Sequence, residues 1–488
     1  MIPARRWSEV GRRRWLLALT VTLLLVVGTA CGRGADVSEP AAEHRPVVLI
    51  VVDALRADHL GTYGYDRPTT PHLDAWAERG RVFERAWATS PWTLPSFGSI
   101  LTGQLPSAHS AGIEVGEGAD ADVEVVAARN FVRLASSVPT VTELLAAEGF
   151  ATGAFVANPF LDPRFGLDRG FVDYDHYETS NSDLRPAAEV VDRALDWIDG
   201  TGGRPFFLML HFFDPHLDYD APPPFRGRFA EASAEGLDLP VRGLWPIRNR
   251  LDTMPAAERD FIVAAYDEEL AYVDAELGRL FDELESRGVL NDAVVLLTAD
   301  HGEAFFEHDG FEHGHAMYEE VLRIPLILWG PQVSPGRDAT PVSLIDVAPT
   351  IMAAAGVGSD RAAAAVSVDE PLPATMPGIS LLELHDTSPP VVRDIVAERV
   401  LYGPEAKAIV SWPYKAILEI DTSEARLFDL SADPGEQRDL SADRPQDLSE
   451  LLGRLAEALT EAKALGAGAE AELDAELLRR LRALGYIR

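Results

Sequence analysis

The chain has 488 residues, 47% of them apolar and 25% charged, a composition that supports a large buried core and excludes wholesale disorder. Its 78 acidic and 43 basic side chains give a formal charge of −35, a field that repels nucleic acid and anionic membrane surfaces and argues against partners of either kind. The same field repels an anionic substrate, so a site for one needs concentrated positive charge, most simply a metal ion.

Residues 1–31 are expected to be an export segment. Arg5, Arg6, Arg12, Arg13 and Arg14 face only Glu9, an apolar run follows from Leu16 to Val27, and Gly28, Thr29 and Ala30 precede Cys31. The run is short for a membrane span. Cys31 is the only cysteine, so no disulfide forms within the chain. Its place after a small-residue cleavage site points to a lipid anchor at Cys31, in the periplasm or on the cell surface, with a plain cleaved signal and an uncleaved anchor as alternatives. Arg12-Arg13-Arg14-Trp15-Leu16 also permits twin-arginine export. Residues 32–44, small and polar, are expected to be a tether.

The folded part opens on Val47–Val52, an apolar, largely β-branched run ending at Asp53, the pattern of a strand buried on both faces of a parallel sheet. Similar runs recur at Phe206–Leu210, Val294–Leu297 and Pro325–Leu328, and helical patterns lie between them at Val141–Glu148, Ala187–Ile198 and Ala256–Arg287. This alternation predicts an α/β fold with a mainly parallel central sheet flanked by helices. Glu114–Glu124, Pro222–Pro255 and Ser359–Pro377 are expected to be excursions, the middle one a lid or rim. The expected organisation is a catalytic domain over 45–388 and a small α+β subdomain with a helical tail over 389–488. Strands are expected there at Asp394–Glu398, Ala408–Ser411 and Tyr414–Ile420, with helix from Asp447.

Functional side chains of such sheets gather at the carboxyl ends of the strands. Asp53 ends one buried run and Asp300-His301 ends another, with Gly302 expected to let the chain turn sharply. Alone, each has an ordinary structural explanation, Asp53 as a helix N-cap and Asp300-His301 as a satisfied turn. Together they offer two carboxylates and an imidazole, the ligands of a hard or borderline divalent cation. Ser90-Pro91-Trp92-Thr93-Leu94-Pro95 leads into a helix that starts near Thr93. A hydroxyl there sees the positive end of the helix dipole, which favours an anionic substrate and a deprotonated nucleophile. The plainer alternative makes Thr93 or Ser96 an N-cap.

These motifs resemble the sulfatase branch of the alkaline-phosphatase superfamily over most of the folded chain. The resemblance is carried by Asp53–Gly61, Thr70-Pro71-His72-Leu73-Asp74, Thr93–Gly103, His211-Phe212-Phe213-Asp214-Pro215-His216, Ala299-Asp300-His301-Gly302-Glu303, and His313-Gly314 with Tyr318–Pro325. Leu427-Phe428-Asp429-Leu430 and Asp433–Leu440 extend it. It implies an alkaline-phosphatase-like sandwich. Thr93 departs from the Cys or Ser that sulfatases oxidise to formylglycine, Phe97 replaces an arginine, and Ala54 replaces the second aspartate of a pair. The departures argue against a formylglycine sulfatase. The pattern looks more like the superfamily members with a threonine nucleophile, which act on phosphodiesters, phosphonate monoesters, and phosphoglycerol or phosphoethanolamine groups.

The resemblance implies one divalent metal ion held by Asp53, Thr93, Asp300 and His301; Mn²⁺, Zn²⁺ or Mg²⁺ suits these donors better than Ca²⁺. Thr93 would attack the sulfuryl or phosphoryl centre of an anionic ester. His216 would contact substrate oxygens and His313 would protonate the leaving group. Roles for His308 and His315 stay open, Arg56 and Asp58 are expected to pair, and Lys415 is expected to be a solvated strand residue. A sulfatase using unmodified Thr93, a transferase, and a noncatalytic binding protein on the same fold are the alternatives.

Overall fold

Every residue of Val47–Val52 (β1) is buried, on both faces of the strand, which requires a covering layer on each side. The computed structural model describes residues 44–113, 130–176, 185–230, 241–358, 376–386, 392–462 and 468–484. Arg81–Phe83 (β2), Ala151–Val156 (β3), Asp173–His176 (β4), Phe206–Phe212 (β5), Val294–Ala299 (β6), Leu326–Trp329 (β7) and Gly336–Asp338 (β8) join β1 in an eight-stranded sheet, ordered β8-β2-β7-β6-β1-β5-β3-β4. Parallel pairs link β4, β3, β5, β1 and β6, whereas β7 runs antiparallel to both β6 and β2. The sheet is therefore mainly parallel, as the apolar runs imply, and β7 is its one reversed strand among these eight.

Helices cover it in two groups. Ala256–Ser286 packs against Pro71–Ala77 and Ala187–Gly200, while Thr93–Thr102 packs against Val141–Ala147 and Val347–Ala354. In chain order these are α1 (Pro71–Ala77), α2 (Thr93–Thr102), α3 (Val141–Ala147), α4 (Ala187–Gly200), α5 (Ala256–Ser286) and α6 (Val347–Ala354). Local chemistry fixes several ends. Thr140 and Glu143 form a reciprocal capping box on α3, and Asp274 of α5 accepts the backbone N–H groups of His72 and Leu73 at the start of α1 (3.0 and 2.7 Å). The buried residues Val190, Val191, Ala194, Leu195 and Ile198 form the inward stripe of α4.

Toward the carboxyl terminus, Ile395–Ala397 (β9), Ala406–Ser411 (β10), Tyr414–Glu419 (β11) and Ala425–Asp429 (β12) form an antiparallel meander. Pro445–Glu461 (α7) packs on it through Leu451 and Leu455, which meet Ile409, Ala416 and Leu427; Ala475–Ala483 (α8) follows. Ile395, Ala397, Phe428 and Leu430 belong to the same apolar core as the central strands. The export segment with Cys31, residues 32–43, the Glu114–Glu124 excursion and most of Ser359–Pro377 lie outside the described residues. Among the described residues no helix is long and apolar enough to cross a membrane.

Lys415 corrects the sequence reading. It is not solvated but fully buried on β11, with Nζ 2.8 Å from Glu319 and 2.9 Å from Glu436. Burial pulls its ammonium down, and the two carboxylates outweigh that and hold it above its ordinary value. Such a pair is costly to break because the remaining partner stays buried and uncompensated. Lys415→Met is therefore expected to destabilise the protein by about 3–5 kcal/mol, measured as a lower urea midpoint. An unchanged midpoint would show that the triad carries no net stability.

Candidate active site

Strands β1, β3, β5 and β6 are parallel neighbours, so their carboxyl ends open on one edge of the sheet. Asp53 follows β1, Asp300 and His301 follow β6, Asn158 lies just beyond β3, and His211 is the next-to-last residue of β5. All five are fully buried. The structure brings together the four residues that the sequence nominates as metal ligands.

Asp53 Oδ2 accepts a hydrogen bond from Asn158 Nδ2 (2.6 Å) and lies 3.2 Å from His211 Nε2. Its Oδ1 has no hydrogen-bond donor and lies 3.4 Å from His301 Nε2. Asp300 is arranged in the same way. Oδ1 accepts from the backbone N–H groups of Ala54 (3.3 Å) and His301 (3.1 Å), whereas Oδ2 has no donor and lies 3.3 Å from His301 Nε2. His301 Nδ1 is 2.8 Å from the Gly302 carbonyl. A carbonyl only accepts, so Nδ1 carries the proton and Nε2 turns a lone pair toward the two carboxylate oxygens.

Ligand atoms of Asp53, Asp300 and His301 all lie within 4.8 Å of one another, and Thr93 Oγ1 is 3.4 Å from His301 Nε2. Buried oxygens without donors, grouped around an imidazole lone pair, repel one another unless a cation sits among them. The donor set therefore fits a divalent metal ion. Electrostatics agree in direction. Burial, reinforced by the Asp53 charge, pushes Asp300 well above the carboxylate range. Burial also raises Asp53, yet the His211 hydrogen bond and the neighbouring His216, His211 and His301 rings outweigh it and hold Asp53 at about 2. His301 is pulled down by burial and stays neutral, the form that ligates a metal.

Thr93 is the first residue of α2, where the N-cap position belongs to Trp92 and no side chain caps the helix. The N-cap alternative for Thr93 therefore falls, and its hydroxyl instead accepts from Asn158 Nδ2 (3.3 Å). Gly302 is needed for a different reason than a left-handed turn. Its N–H bonds the Val321 carbonyl (2.9 Å), and a Cβ there would lie 2.2 Å from the Glu320 carbonyl oxygen, so only glycine lets the two backbones meet. Phe97 is buried and packs edge-on against His211, with ring centroids 5.4 Å apart.

His313 and His216 adjoin this cluster: the His313 ring lies 4.1 Å from that of His301 and 4.9 Å from that of His216. Burial, with the nearby His301 and His216, pulls His313 well below its ordinary range, which leaves it a neutral imidazole and a weak proton donor. Glu303 and Glu312 complete the surroundings, Glu303 Oε1 lying 3.0 Å from His313 Nδ1. His308 pairs instead with Glu320 (2.8 Å) and stacks on Tyr318, and His315 stacks on Tyr402. Arg56 does pair with Asp58 (2.7 Å), and it also reaches the Glu303 carbonyl (2.9 Å) and Glu307 (2.8 Å). From the Pro222–Pro255 excursion, Arg248 comes within 3.9 Å of Glu312 and hydrogen-bonds Tyr402. Sequence reasoning gave no role to Asn158, His211, Glu303 or Glu312.

A family model described as Sulfatase matches residues 45–357. Arylsulfatase K of Xenopus laevis is 32% identical over 209 residues, 41% of this chain and 38% of that protein, so the match spans well under half of that relative. The arylsulfatase of Clostridium perfringens is 25% identical over 451 residues, covering 81% of this chain and 89% of its own length. Among solved structures, the phosphonate monoester hydrolase of Agrobacterium radiobacter superposes with a TM-score of 0.64 at 16% identity, over 86% of this chain and 96% of that one, which shows a shared fold.

Proposed function

The chain belongs to the sulfatase family of ester hydrolases, and from that premise we propose that it cleaves sulfate- or phosphate-type esters by direct attack of an unmodified Thr93, with phosphodiesters and phosphonate monoesters favoured. The observation that carries this reading is the placement of Thr93 Oγ1 beside His301 Nε2, where Asp53 Oδ1 and Asp300 Oδ2 both lack donors. Asp53, Thr93, Asp300 and His301 would hold the cation, which would acidify the threonine hydroxyl and neutralise charge on the ester. Thr93 Oγ1 forms the new bond to phosphorus or sulfur as the leaving oxygen departs, and water then releases the Thr93 ester. Asn158 fixes the line of attack by donating to both Thr93 and Asp53. His216 and His313 face the substrate's oxygens and its leaving group.

The preference for diesters and phosphonate monoesters over phosphate monoesters follows from charge; sulfate monoesters are also singly charged, and the reading against them rests on Thr93 and Ala54 standing where formylglycine sulfatases carry other residues. Diesters and phosphonate monoesters carry one negative charge, and a phosphate monoester carries up to two. The site sits in a chain of formal charge −35 and places Phe97 against His211 where sulfatases carry an arginine, so it suits the lesser charge. Assayed with divalent metal against aryl sulfate, aryl phosphate, bis-aryl phosphate and aryl phosphonate, the purified enzyme is expected to turn over the last two fastest. A large preference for aryl sulfate would establish a sulfatase working with threonine, the reading that the arylsulfatase relatives support.

Export with a lipid on Cys31 belongs to the same proposal. Cells grown with labelled palmitate are expected to label the wild-type chain and leave Cys31→Ala unlabelled. Equal labelling of both would place any lipid elsewhere.

A further inference from the structure

We propose that His308 is a positioning residue, a charged imidazolium that ties the tip of the hairpin leading into His313 to the C-terminal subdomain. The inference deepens the proposed function and rests on it for the place of His313 at the leaving group.

The hairpin is short: Ala304 pairs with Glu312 and Phe305 with Phe311, and residues 306–310 close its tip. Glu303 and His313 flank the two strands at the base and meet at 3.0 Å, within the candidate site. Two residues of strand span only about 7 Å, so a displaced tip displaces the base with it.

His308 stands at the tip with an acceptor on each ring nitrogen. Nδ1 lies 2.8 Å from Glu320 Oε1, and Nε2 lies 3.2 Å from the backbone carbonyl of Glu436. An ionised carboxylate and a carbonyl both only accept, so both nitrogens carry protons and the ring is cationic. Its face rests on the Tyr318 ring, with centroids 3.7 Å apart and planes 4° apart, a contact that favours a cation. Burial works against the charge, and Glu320 and Glu436 outweigh it and hold His308 above its ordinary value. The backbone supplies an independent sign. His308 sits at φ 45° and Glu436 at φ 52°, left-handed conformations that cost a residue with a Cβ and persist where the surroundings enforce them.

The far end of the tie is fixed. The Glu436 carboxylate lies 2.9 Å from Lys415 Nζ and accepts from the backbone N–H of Glu319 (2.6 Å), inside the buried triad. The other groups around His308 are already engaged: Arg426 of β12 donates to the Tyr318 hydroxyl (2.6 Å), and Arg56 holds Glu307 on the tip itself (2.8 Å), where the remaining acid, Asp309, is exposed. Gln437 Nε2 donates to the Gly435 carbonyl (2.8 Å) and lies 3.4 Å from His308 Nε2. A neutral His308 gives up its bond to Glu436 and accepts from Gln437 instead, so one proton decides which arrangement is held. The tie is complete at and below the ordinary histidine range and is lost as pH rises through the raised value of His308.

The test is the pH dependence of kcat and KM for the wild type, His308→Gln, His308→Arg and Glu320→Gln, with urea midpoints at the same pH values. The substrates are two aryl esters of the best class in the panel whose leaving phenols differ in acidity. The wild-type kcat is expected to decline on the alkaline side. His308→Arg, always charged, loses that decline, and Glu320→Gln, which keeps an acceptor without its charge, moves it to lower pH. His308→Gln has a kcat at least about tenfold lower near neutrality with KM little changed, and its loss is greater for the poorer leaving group. The wild-type midpoint exceeds that of His308→Gln at about pH 6, and the gap closes by about pH 9. If His308→Arg does not fold, Glu320→Gln carries the kinetic test. An alkaline decline that Glu320→Gln leaves in place, or a midpoint gap equal at both pH values, overturns the charged tie. Losses in His308→Gln that are equal for both leaving groups overturn the positioning role and leave the proposed function standing. Failure of the proposed function shows itself differently, as no ester turned over by any of the four proteins; the positioning role falls with it, and the midpoint gap alone then upholds or overturns the charged tie.

Discussion

Thr93→Ala lowers kcat/KM toward the best ester of the panel by at least about 10⁴-fold, and it does so without loosening the fold. The attacking oxygen is removed outright, and neither Asn158 nor His301 replaces it as a nucleophile. The helix loses nothing comparable, because Trp92 occupies the N-cap position of α2 and no side chain caps that end. Stability is therefore expected to change by no more than about 1 kcal/mol, read from thermal melts of the metal-loaded protein. Thr93→Ser keeps a hydroxyl at the same point and retains most of the lost turnover. A Thr93→Ala protein that turns over like the wild type would remove Thr93 from the chemistry, and with it the assignment of an unmodified nucleophile.

Metal removal has the second largest effect, and it acts on stability as well as on rate. In the protein without its cation, Asp53 Oδ1 and Asp300 Oδ2 are buried beside the His301 lone pair with no hydrogen-bond donor between them. A ligand that binds only the folded state stabilises it by about 4 kcal/mol at a thousand times its dissociation constant. Chelation and desalting are therefore expected to abolish turnover and lower the thermal midpoint by several degrees, and restored divalent metal reverses both. Asp300→Asn removes one ligand oxygen; it is expected to lose turnover with metal present. Identical melting curves and full activity after exhaustive chelation would contradict a metal in the site.

How far the sequence foretold this arrangement depended on where each residue's partners lay. Asp53 and Asp300-His301 were legible because each ends an unbroken apolar strand, where a carboxylate needs a reason. Thr93 was legible from the proline-bounded turn into α2. Asn158 was hidden, because Ala151–Val156 has no continuous run of large apolar residues to announce a strand. Its Gly153 is set by helix packing: a Cβ there would lie 2.6 Å from the Trp197 ring. Lys415 was misread because its partners Glu319 and Glu436 are distant in sequence and meet it only after β11 has paired with β10 and β12. Glu312 was given no role, since neither a positive φ nor an oxygen without a donor leaves a mark on composition or periodicity. Gly302 was identified correctly as special, but its cause is the Glu320 backbone passing beside it, a tertiary fact.

The departures that separate this chain from the formylglycine pattern also became intelligible. Phe97, where an arginine is expected, is part of the apolar packing beneath the site and rests on the ring of His211. Ala54 adopts φ 53° and donates its N–H to Asp300 Oδ1, so that position contributes backbone rather than a third carboxylate.

The central claim is that a cation gripped at this sheet edge makes the hydroxyl of Thr93 the group that takes up the substrate's phosphoryl or sulfuryl unit. Its most direct measurement is mass spectrometry of the Thr93-bearing peptide after acid quenching during turnover. The transferred group is predicted on Thr93 when divalent metal is present and absent from it after chelation. A peptide that stays unmodified throughout turnover, or a modification found on another residue, would contradict the account.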